Sequence, residues 1–437
     1  MGKEIHHLLS RATSVSSSET SSKVSQNQPA LASSRIPNFA QMNSKQRCQA
    51  LVTRNILTPD EAHALNVSGA LQIEQAEKFI ENCVGSFSLP LGIATNFLID
   101  GKEIFIPMAV EESSVVAAAS FGAKLARTCG GFFSEPTETI ATCQVQFIVP
   151  PSFNTYQAFH ENLKNKIHEL AELCQPRLKT RGGGVKSVEL RELNKPGYFV
   201  LHINVNTCEA MGANIVNTIA EEVGRKLPSL LPCTVGSKIL TNLTLHRITR
   251  VKCEVEFSAL ERDGYSGEEA AHRICSVWEF ADLDPFRAAT HNKGIMNGID
   301  PIVIATGNDW RAVEAGCHAY ASLTGSYKPL TKWFVNENNR LQGEIAVPIA
   351  VGTVGGVTAL HPTAIACLKL LGAPSAAQLS AIIASVGLAQ NLSAIRALGC
   401  EGIQKGHMAL HEKNLEMMRR YDHLPRISVV ESQNSES

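Results

Sequence analysis

Residues 287–311 are the part of this sequence that most limits how the chain can fold. They place many polar side chains inside apolar sequence, and buried polar groups need hydrogen-bond partners. The segment is therefore either a networked site or a solvated loop, and the apolar sequence on both sides favours a site. Lys293 and Asp309 lie within it. A lysine beside a carboxylate can stabilise an oxyanion that forms on a carbonyl, and a structural ion pair is the alternative.

Length and charge limit the class of protein. At 437 residues the chain exceeds the size at which one hydrophobic core keeps growing, so two or three domains are expected. The formal net charge is -1, with 40 basic and 41 acidic residues. This balance gives no overall field to hold a phosphate backbone or an anionic membrane. We therefore expect neither nucleic acid nor a membrane as a partner.

The 12 cysteines are scattered along the chain without a Cys-x-x-Cys pair. This pattern favours reduced thiols in a cytoplasmic protein over a disulfide framework or a zinc site. An uncharged run at residues 346–368 raises the question of a membrane span. Because that run contains Gly, Pro and His residues, it predicts a core strand, a turn and a helix instead.

Residues 1–35 predict a disordered, Ser-rich tail. Ser, Thr, Gln and Ala dominate most of this region, and few large apolar side chains are present to offset the entropy of ordering. The region also has no apolar core of the signal-peptide type. Export is therefore not expected.

After the tail, strand and helix patterns alternate. Residues 96–108 predict a hairpin around Asp100-Gly101, and residues 113–127 predict a helix that begins just after Glu112. A compact inserted α+β domain is predicted from the next group of patterns. Its strands lie at residues 143–148, 198–206 and near 238–256, and its helices at 156–174 and 214–227. Residues 270–410 predict long helices around a short strand at 302–305.

Several segments together resemble the class II, or bacterial-type, 3-hydroxy-3-methylglutaryl-coenzyme A (HMG-CoA) reductases. The resemblance covers about residues 36–411, and the segments occur in the order found in the family. Besides residues 287–311, the matching segments are 81–85, 107–119, 181–184, 209–218, 387–391 and 401–411.

The resemblance implies an α+β fold. A large, mostly helical substrate-binding domain (residues 36–138 and 246–400) would carry an inserted small domain and a short C-terminal flap (residues 401–437). The small domain (residues 139–245) would be a ferredoxin-like, non-Rossmann dinucleotide-binding domain. The glycines at 352, 355 and 356 do not form a Gly-x-Gly-x-x-Gly fingerprint, which also argues against a Rossmann domain. The family forms dimers with active sites at subunit interfaces, so a homodimer or a higher oligomer of dimers is implied.

The implied reaction reduces the HMG-CoA thioester to mevalonate and free coenzyme A with two hydrides from NAD(P)H. Lys293 would polarise the thioester carbonyl and hold the oxyanion, with Asp309 tuning it. Glu112 would transfer a proton at the aldehyde stage, and His407 would protonate the departing thiolate. His407 and His411 also have the spacing of metal ligands on one helix face, but the sequence offers no third ligand at a suitable spacing. No metal is expected.

Four further residues are implied to bind the substrate. Arg287 and Ser114 resemble the contacts that the family makes to the substrate carboxylate, for which a guanidinium is well shaped. Asn297 and Gln390 resemble polar groups of the active site. For each of these two, a structural hydrogen bond is an equal alternative.

The resemblance places the dinucleotide on a turn that includes Met211, Gly212 and Asn214. Backbone amides at the start of a helix can meet the pyrophosphate there. Asn217 and Asn242 resemble further cofactor contacts.

Two positions near the implied cofactor site differ from relatives. The family usually has aspartate where this chain has Glu209, which keeps the charge and lengthens the side chain. NADH-preferring relatives carry an acidic residue where this chain has Gln175, and Arg177, Lys179 and Arg181 follow. An acid there would repel a 2′-phosphate, whereas cations attract it. NADPH is therefore favoured over NADH.

The sequence is also compatible with two other functions. One is a non-catalytic relative that binds an acyl-coenzyme A, and the other is a cysteine-dependent acyl-coenzyme A transferase. The direction of the reaction, biosynthetic or degradative, does not follow from the residues.

Overall fold

The computed structural model describes residues 33–66 and 71–402. The predicted flap from residue 403 on, including His407, and the predicted tail up to residue 32 lie outside these residues. Ser34 is fully buried, and its hydroxyl lies 2.5 Å from the Glu103 carboxylate and 3.0 Å from the carbonyl of Phe97. The predicted end of the tail at residue 35 is therefore wrong. Ser34 packs because its partners come from a distant hairpin that the local composition does not reveal.

Ten strands occur in the described residues and form two sheets. They are β1 (Leu91–Ile99), β2 (Lys102–Ala109), β3 (Phe132–Ser134), β4 (Ile140–Ile148), β5 (Gly184–Glu192), β6 (Tyr198–Asn206), β7 (Thr234–Thr241), β8 (Ile248–Glu256), β9 (Thr331–Val335) and β10 (Arg340–Pro348). The six-stranded sheet has the order β2-β1-β3-β8-β10-β9, and the four-stranded sheet has the order β5-β6-β4-β7.

Helices cover the sheets. They are α1 (Ser44–Thr53), α2 (Pro59–Asn66), α3 (Ile73–Ala76), α4 (Val115–Ala126), α5 (Thr155–Ala158), α6 (Lys164–Cys174), α7 (Pro176–Lys179), α8 (Ala213–Lys226), α9 (Phe257–Leu260), α10 (Gly267–Leu283), α11 (Pro285–Ala305), α12 (Trp310–Ala321), α13 (Gly356–Leu360), α14 (Pro362–Leu370) and α15 (Ala376–Gly399). A π-helical segment, Phe159–Leu163, joins α5 to α6. The mixed α+β fold predicted from the sequence is confirmed.

The predicted hairpin at residues 96–108 is also confirmed. β1 and β2 pair antiparallel, with Ile99 opposite Lys102. Asp100 and Gly101 between them have φ of 48° and 74°, which is the left-handed conformation that a two-residue hairpin turn needs. Glu112 therefore follows directly after β2, at the start of the turn that leads into α4.

The four-stranded sheet contains one strand that the sequence reading missed. The patterns at residues 143–148 and 198–206 are β4 and β6, and the helix patterns at 156–174 and 214–227 correspond to α5, α6 and α8. β5 was not predicted. Its register with β6 shifts between Val185 and Ser187, and this bulge interrupts the alternation of apolar and polar residues.

Residues 302–305 belong to α11, so the strand predicted there is wrong. Asp284 caps this helix by accepting two backbone N–H groups of the first turn, and Pro285 occupies the first helical position. Ile302 and Val303 are fully buried. A short run of buried β-branched residues looks the same in a core strand and in a core helix, and here the helix that began at residue 285 continues through it.

Each of the two sheets packs against its own hydrophobic core. The first lies between the six-stranded sheet and α4, α10, α11 and α15, and the second between the four-stranded sheet and α6 and α8. The region expected to be mostly helical therefore also contains a six-stranded sheet. The sheet joins the β1–β2 hairpin, β3, β8 and the β9–β10 hairpin, which come from four separate parts of the chain, so local patterns do not predict how they assemble.

α15 is the central helix of the first core. Among the described residues it is the one helix long and apolar enough to cross a membrane, but 83% of its apolar window is buried inside the protein. Gly122 of α4 and Gly298 of α11 allow close packing, since a Cβ on them would lie 2.1 Å from the carbonyl oxygen of Ala389 and 2.8 Å from that of Val386. The uncharged run at 346–368 forms the end of β10, a turn, and helices α13 and α14, as predicted.

Candidate active site

Lys293 and Glu112 form an ion pair in the fold. The Nζ atom of Lys293 lies 3.1 Å from Oε2 of Glu112. Lys293 projects from the middle of α11, and Glu112 from the turn between β2 and α4. The two side chains are 62% and 42% exposed. Both charges are therefore accessible to a ligand.

The turn that carries Glu112 has an unusual backbone. Ser114, directly before α4, has φ of 74°. This left-handed conformation is uncommon for residues other than glycine and stores local strain. The Ser114 carbonyl accepts the N–H of Ala118 at 2.8 Å, which ties the turn to the first turn of α4. Glu112 is thus held on a short, anchored segment beside α11.

Asp309 lies at the start of α12 and caps it. Its Oδ1 atom accepts the backbone N–H groups of Arg311 and Ala312, both at 3.1 Å, and the Nε–H of Arg311 at 3.3 Å. Within residues 33–66 and 71–402, Lys293 is not among its hydrogen-bond or ion-pair partners. The structure therefore brings Lys293 to Glu112, and it places Asp309 on a neighbouring helix start.

The polar residues of 287–311 divide between two roles. His291 is buried, and its Nε2 lies 2.7 Å from the Thr331 hydroxyl and 3.2 Å from Nδ2 of Asn391. Burial, with a smaller contribution from Arg287, lowers the pKa of His291 to about 3, so its ring is neutral near pH 7. Asn292 bonds the backbone just before β9 through both its amide oxygen and its nitrogen, each at 2.9 Å. His291 and Asn292 therefore anchor α11, whereas Lys293 is exposed for a ligand.

Sequence reasoning missed the contacts of Asn308. Its Oδ1 accepts the N–H of Gly352 at 2.8 Å, and its Nδ2 donates to the Gly352 carbonyl at 3.1 Å. Gly352 packs against the backbone of Met211, where an added Cβ would lie 2.4 Å from the Met211 nitrogen. The residue before Asp309 is thereby joined to the turn predicted to bind the cofactor. The position of Asn308 beside Asp309 in the polar segment was the available signal.

The predicted cofactor turn leads into α8. Gly212 precedes the helix with φ of 107°, and a Cβ at this position would lie 2.6 Å from Cγ2 of Thr207, so glycine is required. Asn214 lies exposed in the first helical turn. The first N–H groups of a helix have no partner within it, and no side chain of the described residues caps α8. These donors can bind an anion.

Asn217 and Asn242 differ in what they contact. The amide oxygen of Asn217 accepts the N–H of Leu240 at 2.8 Å and so links α8 to β7. Asn242 is exposed, and its carbonyl oxygen lies against Gly316, where a Cβ would come within 2.7 Å. The structure thus gives Asn217 a structural contact and leaves the Asn242 side chain accessible.

A basic loop lies next to the cofactor turn. Gln175 follows α6 directly, and Arg177 and Lys179 are exposed in α7. Lys179 pairs with a glutamate of α6 at 3.2 Å, whereas the Arg177 guanidinium has no hydrogen bond or ion pair within the described chain. The thiol of Cys208 donates to the carbonyl of Arg181 at 3.4 Å, which connects this loop to the residue before Glu209.

Three of the four residues predicted to bind the substrate lie on α11 and α15, and Ser114 lies directly before α4. Asn297 is half-buried four residues after Lys293, on the same helix face. Arg287 is half-buried in the first turn of α11, and this burial lowers its pKa. Gln390 is 5% exposed, at the crossing of the two helices, and its Oε1 has no hydrogen-bond partner among the described residues. A Cβ on Gly298 would lie 2.8 Å from the Cβ of Gln390.

Residues 33–66 and 71–402 contain no group of three His, Cys, Asp or Glu side chains placed to hold a metal ion. His407 and His411 lie outside these residues. Burial raises the pKa of Cys143 and of Cys367 to about 12, which disfavours the nucleophilic thiolate.

A family profile matches most of the chain. The profile described as hydroxymethylglutaryl-coenzyme A reductase covers residues 43–412, which include every helix and strand from α1 to α15. This chain belongs to the HMG-CoA reductase family.

Individual HMG-CoA reductases agree with this assignment. The enzyme of Archaeoglobus fulgidus is 44% identical over 390 residues, which are 88% of this chain and 87% of the relative. The probable HMG-CoA reductase of Borreliella burgdorferi is 37% identical over 332 residues, 76% of either chain. A structure of the class II enzyme from Streptococcus pneumoniae, bound to NADPH in open conformations, has a TM-score of 0.79 at 38% identity. The match covers 83% of this chain and 99% of that one.

The resemblance to class II HMG-CoA reductases is therefore confirmed. The protein is an NAD(P)H-dependent oxidoreductase that reduces HMG-CoA to mevalonate. A non-catalytic acyl-coenzyme A-binding protein and a cysteine-dependent transferase are not favoured.

Proposed function

We propose that Glu112, Lys293, Asp309 and His407 are the catalytic residues of this HMG-CoA reductase and that NADPH is its preferred hydride donor. The observation that carries the proposal is the 3.1 Å contact between the exposed ammonium of Lys293 and the carboxylate of Glu112. Bound NADPH supplies the hydrides. The side chains bind the substrate, hold charge and move protons.

Lys293 holds the oxygen of the thioester carbonyl. Its ammonium has three donor hydrogens, and the hydrogen bond to Glu112 uses one of them. An exposed ion pair is weak, so a substrate oxygen can compete for the ammonium. The attraction strengthens as negative charge develops on that oxygen after hydride addition. Lys293 therefore binds the transition state more strongly than the substrate and lowers the barrier.

Glu112 acts at the aldehyde stage. Its carboxylate takes up a proton from solvent and, in the carboxylic acid form, delivers it to the alkoxide oxygen held by Lys293, which completes the alcohol and returns the carboxylate. His407, from the flap, protonates the departing coenzyme A thiolate. Asp309 contributes its charge from the start of α12, where its hydrogen bonds are to Arg311 and Ala312.

The N-terminus of α8 holds the pyrophosphate of the cofactor. The turn fits such an anion, because the first backbone N–H groups of α8 have no partner within the helix. Met211 and Asn214 border these donors, and Asn242 is accessible at the end of β7. Asn217 supports the site by tying α8 to β7.

NADPH is preferred over NADH because of the basic loop. Gln175 carries no charge that would repel a 2′-phosphate, and the guanidinium of Arg177 is exposed without a hydrogen-bond or ion-pair partner among the described residues. Arginine can bind a phosphate through two parallel hydrogen bonds. Cys208 links this loop to the cofactor turn, so a dinucleotide lying on the turn can reach it.

The substrate lies against α11, α15 and the turn before α4. Arg287 and Ser114 bind its carboxylate, and Asn297 shares the helix face of Lys293. Gln390 has a nearly buried Oε1 without a partner in the described residues, and an unsatisfied buried acceptor is costly. A donor group on the bound substrate would satisfy it.

The order of elements supports a ferredoxin-like unit. The elements follow one another as β4, α6, β5, β6, α8 and β7, and the sheet order is β5-β6-β4-β7. We assign residues 139–245 to this dinucleotide-binding domain. We likewise assign residues 36–138 and 246–400 to the substrate-binding domain; most of the flap predicted at residues 401–437 lies outside the described residues.

A cytoplasmic homodimer is the proposed form of the enzyme. Val84 and Phe87 are 101% and 93% exposed in one chain, although both are apolar. Exposed apolar groups clustered in one segment are typical of a protein interface. A second copy of the chain would cover them.

Mixing the purified protein with HMG-CoA and following nicotinamide absorbance tests the proposal, in separate reactions with NADPH and NADH. We expect oxidation of both cofactors, with a higher kcat/KM for NADPH. A higher kcat/KM for NADH would refute the cofactor assignment.

A further inference from the structure

The carboxylate of Glu209 connects separate parts of the chain. Its Oε2 atom accepts the hydroxyl of Thr353 at 3.0 Å and the backbone N–H of Ala376 at 2.6 Å. The carbonyl of Glu209 also accepts the backbone N–H of Thr353 at 2.9 Å. Ala376 is the first residue of α15, where an N–H without an intrahelical partner and the helix dipole both stabilise a carboxylate. Glu209 thus ties the start of the cofactor turn to the central helix of the large core.

Residues 351–353, between β10 and α13, form a bridging segment. On one side, the side chain of Asn308 bonds both the N–H and the carbonyl of Gly352. On the other side, Gly352 packs so closely on the cofactor turn that a Cβ would lie 2.4 Å from the Met211 nitrogen and 3.0 Å from the Glu209 carbonyl oxygen. The bridging segment therefore contacts the cofactor turn on one side and Asn308, the residue before Asp309, on the other.

Arg247 holds the same two segments from inside the protein. It is fully buried in the connection from β7 to β8. One end of its guanidinium donates to the Met211 carbonyl at 3.4 Å, and the other donates to the carbonyl of Val351. Its positive charge is also attracted to Glu209. Arg247, on the buried side, and Glu209 thus both join the cofactor turn to the bridging segment.

We infer that Glu209 is a positioning residue for hydride transfer, which fastens the cofactor turn to the bridging segment and so to the loop that carries Asp309. The inference rests on the proposed function, in which this turn binds NADPH. One oxygen of the Glu209 carboxylate reaches both the hydroxyl of Thr353 and the N-terminus of α15.

If Glu209 positions the cofactor turn, its loss should affect NADPH binding and turnover but not HMG-CoA binding. If the fastening is lost, the turn has to be ordered when NADPH binds, so the affinity for NADPH falls. The nicotinamide is also held less firmly against the thioester, so kcat falls. The residues proposed to bind HMG-CoA lie on α11, α15 and the turn before α4, so the KM for HMG-CoA stays constant. A purely structural role would instead lower the melting temperature and the active fraction without changing the KM for NADPH.

Substitutions at Thr353 in the full-length protein test this inference. Thr353→Val removes the hydroxyl donor to Glu209 and keeps the shape, whereas Thr353→Ser keeps the donor. We expect Thr353→Val to raise the KM for NADPH about tenfold, which corresponds to about 1.4 kcal/mol. Thr353→Ser should restore the wild-type value. Thr324→Val is the matched control, because this exposed hydroxyl bonds only the nearby Ser326 carbonyl in the described structure.

Glu209→Gln provides a second, independent variant, and it should raise the KM for NADPH in the same direction by weakening the charged acceptor. An unchanged KM for NADPH in both Thr353→Val and Glu209→Gln would overturn the inference. Arg177→Ala distinguishes a failure of the inference about Glu209 from a failure of the proposed cofactor site. If Arg177→Ala raises the KM for NADPH while the other two variants do not, the cofactor site stands and the inference about Glu209 is wrong. If Arg177→Ala also leaves it unchanged, the proposed cofactor site fails, and the inference fails with it.

Discussion

The ammonium of Lys293 and the carboxylate of Glu112 lie 3.1 Å apart, although 181 residues separate them in the sequence. The contact exists because α11 crosses the first core next to the end of the β1–β2 hairpin, and α11 is itself anchored by the buried His291. A cation that can hold an oxyanion and a carboxyl that can deliver a proton are thereby presented on one accessible face.

Glu112→Gln should lower kcat strongly, because an amide cannot deliver the proton at the aldehyde stage. General acid catalysis typically contributes about 10²–10⁴-fold, so a loss of that size is expected in steady-state turnover. Glu111→Gln is the matched control, since Glu111 is the neighbouring exposed carboxylate. Equal turnover in the two variants would remove Glu112 from this role.

Arg177→Ala should weaken the binding of NADPH and leave the binding of NADH almost unchanged, because only NADPH carries the 2′-phosphate. Loss of a charged hydrogen bond predicts a roughly tenfold to hundredfold rise in the KM for NADPH. Arg225→Ala, at the other end of α8, is the control. An equal rise in the KM for NADH would show that Arg177 does not bind the 2′-phosphate.

Glu103→Gln should destabilise the protein in a pH-dependent way. Burial opposes ionisation of Glu103, but hydrogen bonds from Arg127 and Ser34 outweigh it and lower the pKa of Glu103 from 4.5 to about 2. A lowered pKa stabilises the fold above the unfolded pKa, and this stabilisation is lost as the pH falls from about 4.5 towards about 2. After allowance for solvent screening, the difference at pH 7 should be roughly 1–3 kcal/mol.

Urea unfolding of the wild type and Glu103→Gln at pH 7, 4 and 3 measures that difference. It should shrink at the lowest pH, whereas the exposed control Glu138→Gln should resemble the wild type throughout. A difference that is constant with pH would mean that Glu103 acts through packing and not through its charge.

The double substitution of Val84 and Phe87 by Asp should produce monomers. Both side chains are fully exposed in one chain, and burying a charge in an apolar interface is unfavourable. Sedimentation velocity of the variant against wild type checks the assembly, with Leu173→Asp as an exposed apolar control from α6. Unchanged dimers in the double variant would place the interface elsewhere, and a monomeric wild type would exclude the dimer itself.

Local sequence patterns predicted much of the fold and less of the site. The hairpin turn at Asp100-Gly101, β4, β6 and α8 follow from turn residues and periodicity. β5 was missed because of its bulge, and the end of α11 was mistaken for a strand because buried β-branched runs are ambiguous.

The candidate site depended on long-range contacts that no local pattern contains. The sequence suggested Asp309 as the neighbour of Lys293, whereas the fold brings Glu112 to Lys293 and uses Asp309 to cap α12. The bonds of Asn308 to Gly352 likewise join segments 44 residues apart. Family resemblance identified the candidate residues, and the geometry shows which of them meet.

Turnover of Lys293→Ala with HMG-CoA and NADPH tests the central claim most directly. Lys45→Ala serves as a control with an exposed lysine, and melting temperatures establish that both variants fold. If Lys293 holds the oxyanion, kcat falls by at least about 10²-fold at an unchanged melting temperature, as for the loss of a single oxyanion donor. Turnover of Lys293→Ala equal to that of the wild type would contradict the account.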